Sequence, residues 1–332
     1  MPDKASTLSV VVPAYNEGQV LPEFHRRLTA VMAALPCNWE VLYVNDGSTD
    51  DTLSVLHQLR EPHVAIINLS RNFGKEIALT AGLDHARGDA VIVIDADLQD
   101  PPEVIPELVQ KWHEGFDVVY ARRTARDGET FLKKISAKGF YRVIQRVSRV
   151  KIPADTGDFR LLSRRAVNAL VQLREHHRFM KGLFSWIGYP QTAVYYHRES
   201  RFAGQSKWGY WLLWNFALEG ITSFTIVPLK IATYFGLFTA LGAFSYALFV
   251  IYDTVVYGNP VQGYPSLMVI ILFLGGVQLM SIGVIGEYLG RMFNETKRRP
   301  LYFVQGFEPS QLERAIEKAD TLGSRQQQPP SV

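Results

Sequence analysis

Cysteine is nearly absent: the 332-residue chain has one, Cys37, so no internal disulfide can form. A lone thiol suits a reducing compartment. Net charge is small, +3 with a pI of about 8.8, too mild to argue for a nucleic-acid partner, and none is expected. No G-x-G-x-x-G follows the first apolar run and no Walker sequence occurs, so an ordinary dinucleotide or P-loop reading loses support. The opening MPDKASTLSVVVPAYNE is not read as a signal peptide, because its apolar run is short and broken by Pro13. The sharpest absence is local. From residue 231 to residue 290 there is no Lys or Arg, and the acids there are Asp253 and Glu287 alone.

Two apolar runs fill that window, IATYFGLFTALGAFSYALFVIY (231–252) and SLMVIILFLGGVQLMSIGVI (266–285). Each is long enough, as a helix, to span a hydrocarbon core of about 30 Å. DTVVYGNPVQGYP between them reads as a short turn. Two core helices of a soluble domain are the alternative, but core helices of this length seldom lack a polar face. Lys230 precedes the first run, and Arg291, Lys297, Arg298 and Arg299 follow the second, while the connecting loop has no basic residue. The positive-inside rule then places both termini in the cytoplasm.

The first 200 or so residues alternate short β-branched runs with helical patterns. Strands are expected at 8–14, 40–46, 64–70, 90–96 and 117–123. Helices are expected between them, with Ser48 or Thr49 capping the second and Pro101–Pro102 opening the fourth. Such alternation implies a mainly parallel sheet with helices on both faces and ligands beyond the strands' carboxyl ends. That edge collects Pro13–Glu17, Asn45–Asp50, Ser70–Lys75, Asp95–Gln99 and Ala121–Arg123. The stretch IDADLQDPPE places Asp95, Asp97 and Asp100 close together. Asp100 fits a cap for the following helix. Asp95 and Asp97 are either solvated turn residues or, being two apart on an extended segment, oxygen ligands for Mg²⁺ or Mn²⁺. Lys75, Arg122 and Arg123 bring cations to the same edge, a combination that suits a phosphorylated ligand.

VVPAYNE (11–17), VNDGSTDD (44–51), SRNFGKE (70–76), DADLQDPPE (95–103) and TGDFRLLSR (156–164) resemble, in this order, the family 2 glycosyltransferases of GT-A fold. The branch they look like transfers a sugar to polyprenyl phosphate, as in bactoprenol glucosyltransferases and dolichol-phosphate mannosyltransferase. The likeness continues through RFAGQSKWGYWLLWNFALEGITSF (201–224), the apolar runs and GEYLGRMFNETKRRPLY (286–302). The Q-x-x-R-W motif of processive synthases is missing, which favours transfer of a single sugar.

The resemblance implies a Rossmann-like GT-A catalytic domain over 1–200 and a juxtamembrane amphipathic segment over 201–230. It implies a two-helix anchor over 231–290 and a cytoplasmic tail over 291–332, expected to be disordered past about Leu322. Pro13, Tyr15, Glu17, Asp46, Asp95 and Asp97 look like donor contacts, with Asp95, Asp97 and Gln99 on a metal, Mg²⁺ or Mn²⁺. Asp158, with Lys75 and Arg122, matches the catalytic positions. Arg122, Lys133, Lys134, Ser136, Arg201 and Lys207 are placed for the lipid phosphate. Trp208, Trp211 and Trp214 recur every three residues where rings would meet headgroups. The implied partners are a nucleotide sugar, UDP-glucose foremost, a polyprenyl phosphate and the bacterial inner membrane, and the thin anchor is compatible with a homo-oligomer. A non-catalytic nucleotide-sugar-binding protein and a small channel with a regulatory domain are the competing readings.

Overall fold

The structure is a computed structural model that describes residues 6–124, 156–176, 178–197, 227–257 and 263–314. Among these, one compact unit holds everything before residue 198 together with 300–314, and a second holds 227–257 and 263–299.

The first unit begins with β1 (Thr7–Ala14), α1 (Leu21–Ala33), β2 (Asn38–Asn45), α2 (Thr52–Gln58), β3 (Val64–Leu69), α3 (Lys75–His85) and β4 (Ala90–Val93). Val10, Val11 and Val12 of β1 are all fully buried, as expected of a strand covered on both faces. In α1, Leu21, Phe24, Leu28 and Met32 form one buried stripe at helical spacing, and Pro22 sits in the first turn, where its missing N–H costs nothing. Helix α3 lies so close to β1 that a Cβ on Gly82 would come within 2.2 Å of Val11.

A 3-10 turn (Pro102–Val104) leads into α4 (Ile105–His113) and β5 (Val118–Arg123). Then come β6 (Thr156–Ser163), α5 (Arg164–Leu170), α6 (Met180–Trp186), β7 (Gln191–Tyr196) and, beyond the second unit, β8 (Val304–Glu308). The described strands form one sheet in the order β7-β5-β6-β4-β1-β2-β3-β8. Strand β1 pairs in parallel with both β2 and β4, so the winding reverses beside it. The carboxyl ends of β1 and β4 are therefore the switch point at which such sheets bind ligands.

The α/β sheet of GT-A kind agrees with the sequence reading, with four corrections. The sheet is mixed, because β4–β6, β5–β6 and β3–β8 run antiparallel. TGDFRLLS, outside the five expected strands, is itself a strand. Strand β4 stops at Val93, so Asp95 to Asp97 is not extended. Ser48 and Thr49 do not cap α2, whose first position follows Asp51, because both hydroxyls face the loop after β1.

The second unit consists of α7 (Val227–Tyr257) and α8 (Tyr264–Thr296). Helix α7 runs through Asp253 to Tyr257, leaving a shorter connection than the sequence suggested. Among the described residues one stretch, Phe273–Thr296, is long and apolar enough to cross a membrane. Glu287 pairs with Arg291 one helical turn on, at 3.2 Å.

Candidate active site

Three aspartates follow β4, and each meets a different fate. Asp95 Oδ2 lies 2.7 Å from Lys75 Nζ. Asp97 Oδ1 accepts a hydrogen bond from the Gln99 amide at 3.1 Å. Between Asp97 and Gln99, Leu98 takes a left-handed φ of 58° with its side chain buried, a strained conformation that turns the chain sharply at this edge. Asp100 does not cap the next helix. It is 2% exposed, accepts a hydrogen bond from the Tyr196 hydroxyl and lies 3.6 Å from Arg123 Nη2. Its neighbour Pro101 starts the 3-10 turn with no side-chain cap.

Lys75 is the hub. Its Nζ also donates to Asp158 Oδ2 at 2.6 Å, so one ammonium bridges the end of β4 and the middle of β6. What places it there is Asp46, whose carboxylate accepts from the Phe73 and Gly74 amides at 2.7 and 2.9 Å and so fixes the turn into α3. That turn passes over Gly47, where φ is 62° and an added Cβ would lie 2.4 Å from the Arg71 carbonyl carbon. Glycine is needed there for both reasons.

The electrostatics follow from burial against pairing. Burial opposes the charge on Asp158, yet Lys75, Lys181 and Arg160 hold its carboxyl well below the usual range. Burial raises Asp95, against the pull of Lys75. Desolvation opposes the Lys75 ammonium, but Asp158 and Asp95 lift its pKa well above the usual value. Glu76 is pushed up to about 7, first by burial and then by the Asp158 charge. Arg160 falls to about 10 through burial. Asp158 Oδ1 is buried without a hydrogen-bond partner among the described residues.

Helix α6 packs behind this cluster. The Met180 amide donates to Glu76 Oε2 at 3.3 Å, and the Arg160 guanidinium lies 3.7 Å above the Phe184 ring. Sequence reasoning missed Glu76, Arg160 and Lys181 as site residues. Glu76 and Arg160 lie inside motifs that drew attention for their neighbours. Lys181 sits in a stretch with no motif, and no signal in the sequence marks it.

Beside the cluster, two loops are laced together. The Asn16 amide donates to Ser48 Oγ at 3.0 Å, the Thr49 amide to Asn16 Oδ1 at 2.9 Å and the Glu17 amide to Thr52 Oγ1 at 2.9 Å. Asn16 is held at φ 56°. Tyr15, next to it, is 40% exposed. Pro13 lies within β1, opposite Val44 of β2. Thus Pro13, Tyr15, Glu17, Asp46, Lys75, Asp95, Asp97, Gln99 and Asp158 all come to one edge of the sheet, formed by the carboxyl ends of β1, β2 and β4 and the amino-terminal part of the antiparallel β6. Arg122, near the end of β5, has its guanidinium 5.8 Å from the centre of the Tyr195 ring, and of the two neighbouring arginines it is Arg123 that lies beside Asp100. Lys133, Lys134, Ser136, Arg201, Lys207 and the three tryptophans lie outside the described residues.

Residues 9–171 match the family described as Glycosyl transferase family 2, and residues 227–292 match the GtrB C-terminal hairpin. A glycosyltransferase of Synechocystis, itself uncharacterized, is 58% identical over 90% of this chain and 94% of its own length. The bactoprenol glucosyl transferase of Shigella phage SfV is 50% identical over 90% of this chain and 98% of its own length. Among solved structures, the glucosyl-3-phosphoglycerate synthase of Mycobacterium tuberculosis with Mn²⁺ and UDP-glucose is 20% identical, at a TM-score of 0.42, over 60% of this chain and 73% of that one. The chain belongs to glycosyl transferase family 2, and it is a glycosyltransferase.

Proposed function

We propose that this protein transfers one glucose from UDP-glucose to undecaprenyl phosphate, with inversion at the sugar. The observation that carries the reading is Lys75, held between Asp95 and Asp158 at the switch point of the sheet, in a chain whose close relatives include bactoprenol glucosyl transferases. A phosphate oxygen of the acceptor bonds to the anomeric carbon from the face opposite the diphosphate. The bond from that carbon to the β-phosphate oxygen breaks, and its electron pair leaves with the nucleotide. Lys75 offsets the charge that grows there. The acceptor's second pKa is about 6, so at neutral pH it is already largely a dianion and needs no proton removed. Asp158, ionised and bound to Lys75, is then a group that orients the lysine.

Asp95, Asp97 and Gln99 offer oxygen donors and no imidazole or thiolate, a set that fits Mg²⁺ or Mn²⁺. Among the described residues no three His, Cys, Asp or Glu side chains converge as a ready-made metal cage, so diphosphate oxygens and water would complete the shell. When bound, such an ion supplies Lewis-acid stabilisation of the leaving diphosphate. The laced loops of Tyr15–Glu17 and Asn45–Ser48 would take the nucleoside.

The two long helices would form a hairpin through the bacterial inner membrane, with the catalytic unit and both termini cytoplasmic. Their length and the match to a C-terminal hairpin family support this. The deciding assay gives membranes containing the protein a panel of radiolabelled nucleotide sugars with undecaprenyl phosphate. UDP-glucose is expected to label the lipid, EDTA to abolish labelling and Mn²⁺ or Mg²⁺ to restore it. Labelling by GDP-mannose or a UDP-N-acetylhexosamine instead would change the donor, and full activity in EDTA would remove the metal.

A further inference from the structure

Strand β8 is the first segment after the second unit, and it closes the sheet as the antiparallel neighbour of β3. Its register is irregular. Asn68 faces Gly306 and Leu69 faces Val304, so Gln305 is the extra residue of a bulge. Bulges re-aim the side chain they carry, and here it is aimed at Asn68.

From Gln305 a line of hydrogen bonds crosses the sheet edge. Asn68 Nδ2 donates to Gln305 Oε1 at 3.3 Å. Asn45 Nδ2 donates to Asn68 Oδ1 at 2.8 Å. The Ser48 amide donates to Asn45 Oδ1 at 3.2 Å, and the Asn16 amide donates to Ser48 Oγ at 3.0 Å. Every donor points the same way. Because Asn45 must accept from the Ser48 amide, its NH₂ has to face Asn68. That turns the Asn68 oxygen towards Asn45 and the Asn68 NH₂ towards Gln305. Hydrogen bonds aligned in this way polarise and strengthen one another. The Ser70 amide also donates to the Phe303 carbonyl at 3.0 Å, tying the start of the Lys75 loop to the same segment.

We propose that Gln305 is a positioning residue of the nucleotide site, which through Asn68 and Asn45 sets the Ser48 and Asn16 loops framing Tyr15 and Glu17. The inference rests on the assignment of those loops to the nucleoside. Gln305 itself is exposed, so a purely structural role would make its replacement nearly neutral. Its effect should instead appear in donor affinity.

The test uses the full chain in detergent. UDP binding is measured by calorimetry and UDP-glucose kinetics at saturating lipid, for wild type, Gln305→Leu and Gln305→Glu, which keeps an acceptor oxygen. The expected result is that Gln305→Leu weakens UDP binding and raises the donor KM about threefold to tenfold, the worth of one hydrogen bond. kcat should stay within about twofold on the same reasoning, with Tm unchanged and Gln305→Glu restoring affinity. Wild-type affinity in Gln305→Leu, or a parallel loss of Tm and kcat, overturns the proposal while leaving the nucleotide assignment intact. If wild type binds no UDP, the assignment beneath the proposal fails and the proposal falls with it.

Discussion

Asp95, Asp97, Asp100 and Asp158 have the same side chain and four different jobs, separated by what each touches. Asp100 is spent on Tyr196 and Arg123, inside the protein. Asp158 shares Lys75 with Asp95 and keeps one buried oxygen without a partner among the described residues. The depressed pKa of Asp158 has a kinetic consequence. A carboxyl held that low stays ionised across the assay range and cannot be the source of an acid limb in the pH–rate profile. That limb should belong to the acceptor phosphate, with activity rising through about pH 6. Asp158→Asn is expected to lower kcat on the order of 100-fold, as loss of one preorganised electrostatic contact does, while leaving the limb in place. A pH–rate profile of the variant without the limb would return Asp158 to the role of general base.

At the scale of elements, the site depends on turns that few residues can make. Gly47 combines a positive φ with backbone contact to Arg71, so Gly47→Ala should destabilise the catalytic unit by at least ~1–3 kcal/mol. The readout is thermal unfolding, and a Tm equal to wild type would show that the Arg71–Asn72 backbone can yield. The strand–helix alternation was legible because buried parallel strands read as unbroken Val and Ile runs, and because α1 repeats apolar residues at helical spacing. Strand β6 was not legible. TGDFRLLS has no alternation, since it lies between β4 and β5 and its residues from Gly157 to Ser163 are all buried. Strand β8 was hidden for another reason. VQGFE carries a glycine and a bulge, and only pairing with β3, far back in the chain, makes it a strand. Local pattern cannot report a partner that distant.

For the whole molecule, the prediction to test is sidedness. The chain's single thiol, Cys37, is partly exposed beside the start of β2, and burial raises its pKa, so labelling calls for mildly alkaline buffer. A membrane-impermeant maleimide should leave Cys37 unmodified in intact cells and label it after permeabilisation. Labelling of intact cells would reverse the proposed orientation.

The sequence by itself determined the class of fold, the family and the edge of the sheet where chemistry gathers, because those depend on hydrophobic period, charge-free runs and short motifs that each lie within a few residues. It also supplied the identities of Lys75, Asp95 and Asp158. Their union could be decided only by the tertiary structure. Lys75 opens α3, Asp95 follows β4 and Asp158 lies in β6, and a single ammonium pairs with both carboxylates only once β6 pairs antiparallel with β4 beside β1. The same holds for Asp100, whose burial against Tyr196 and Arg123 exists only when β7 lies alongside β5. Electrostatic partners are set by distance in space, and distance in space is what the packed sheet creates.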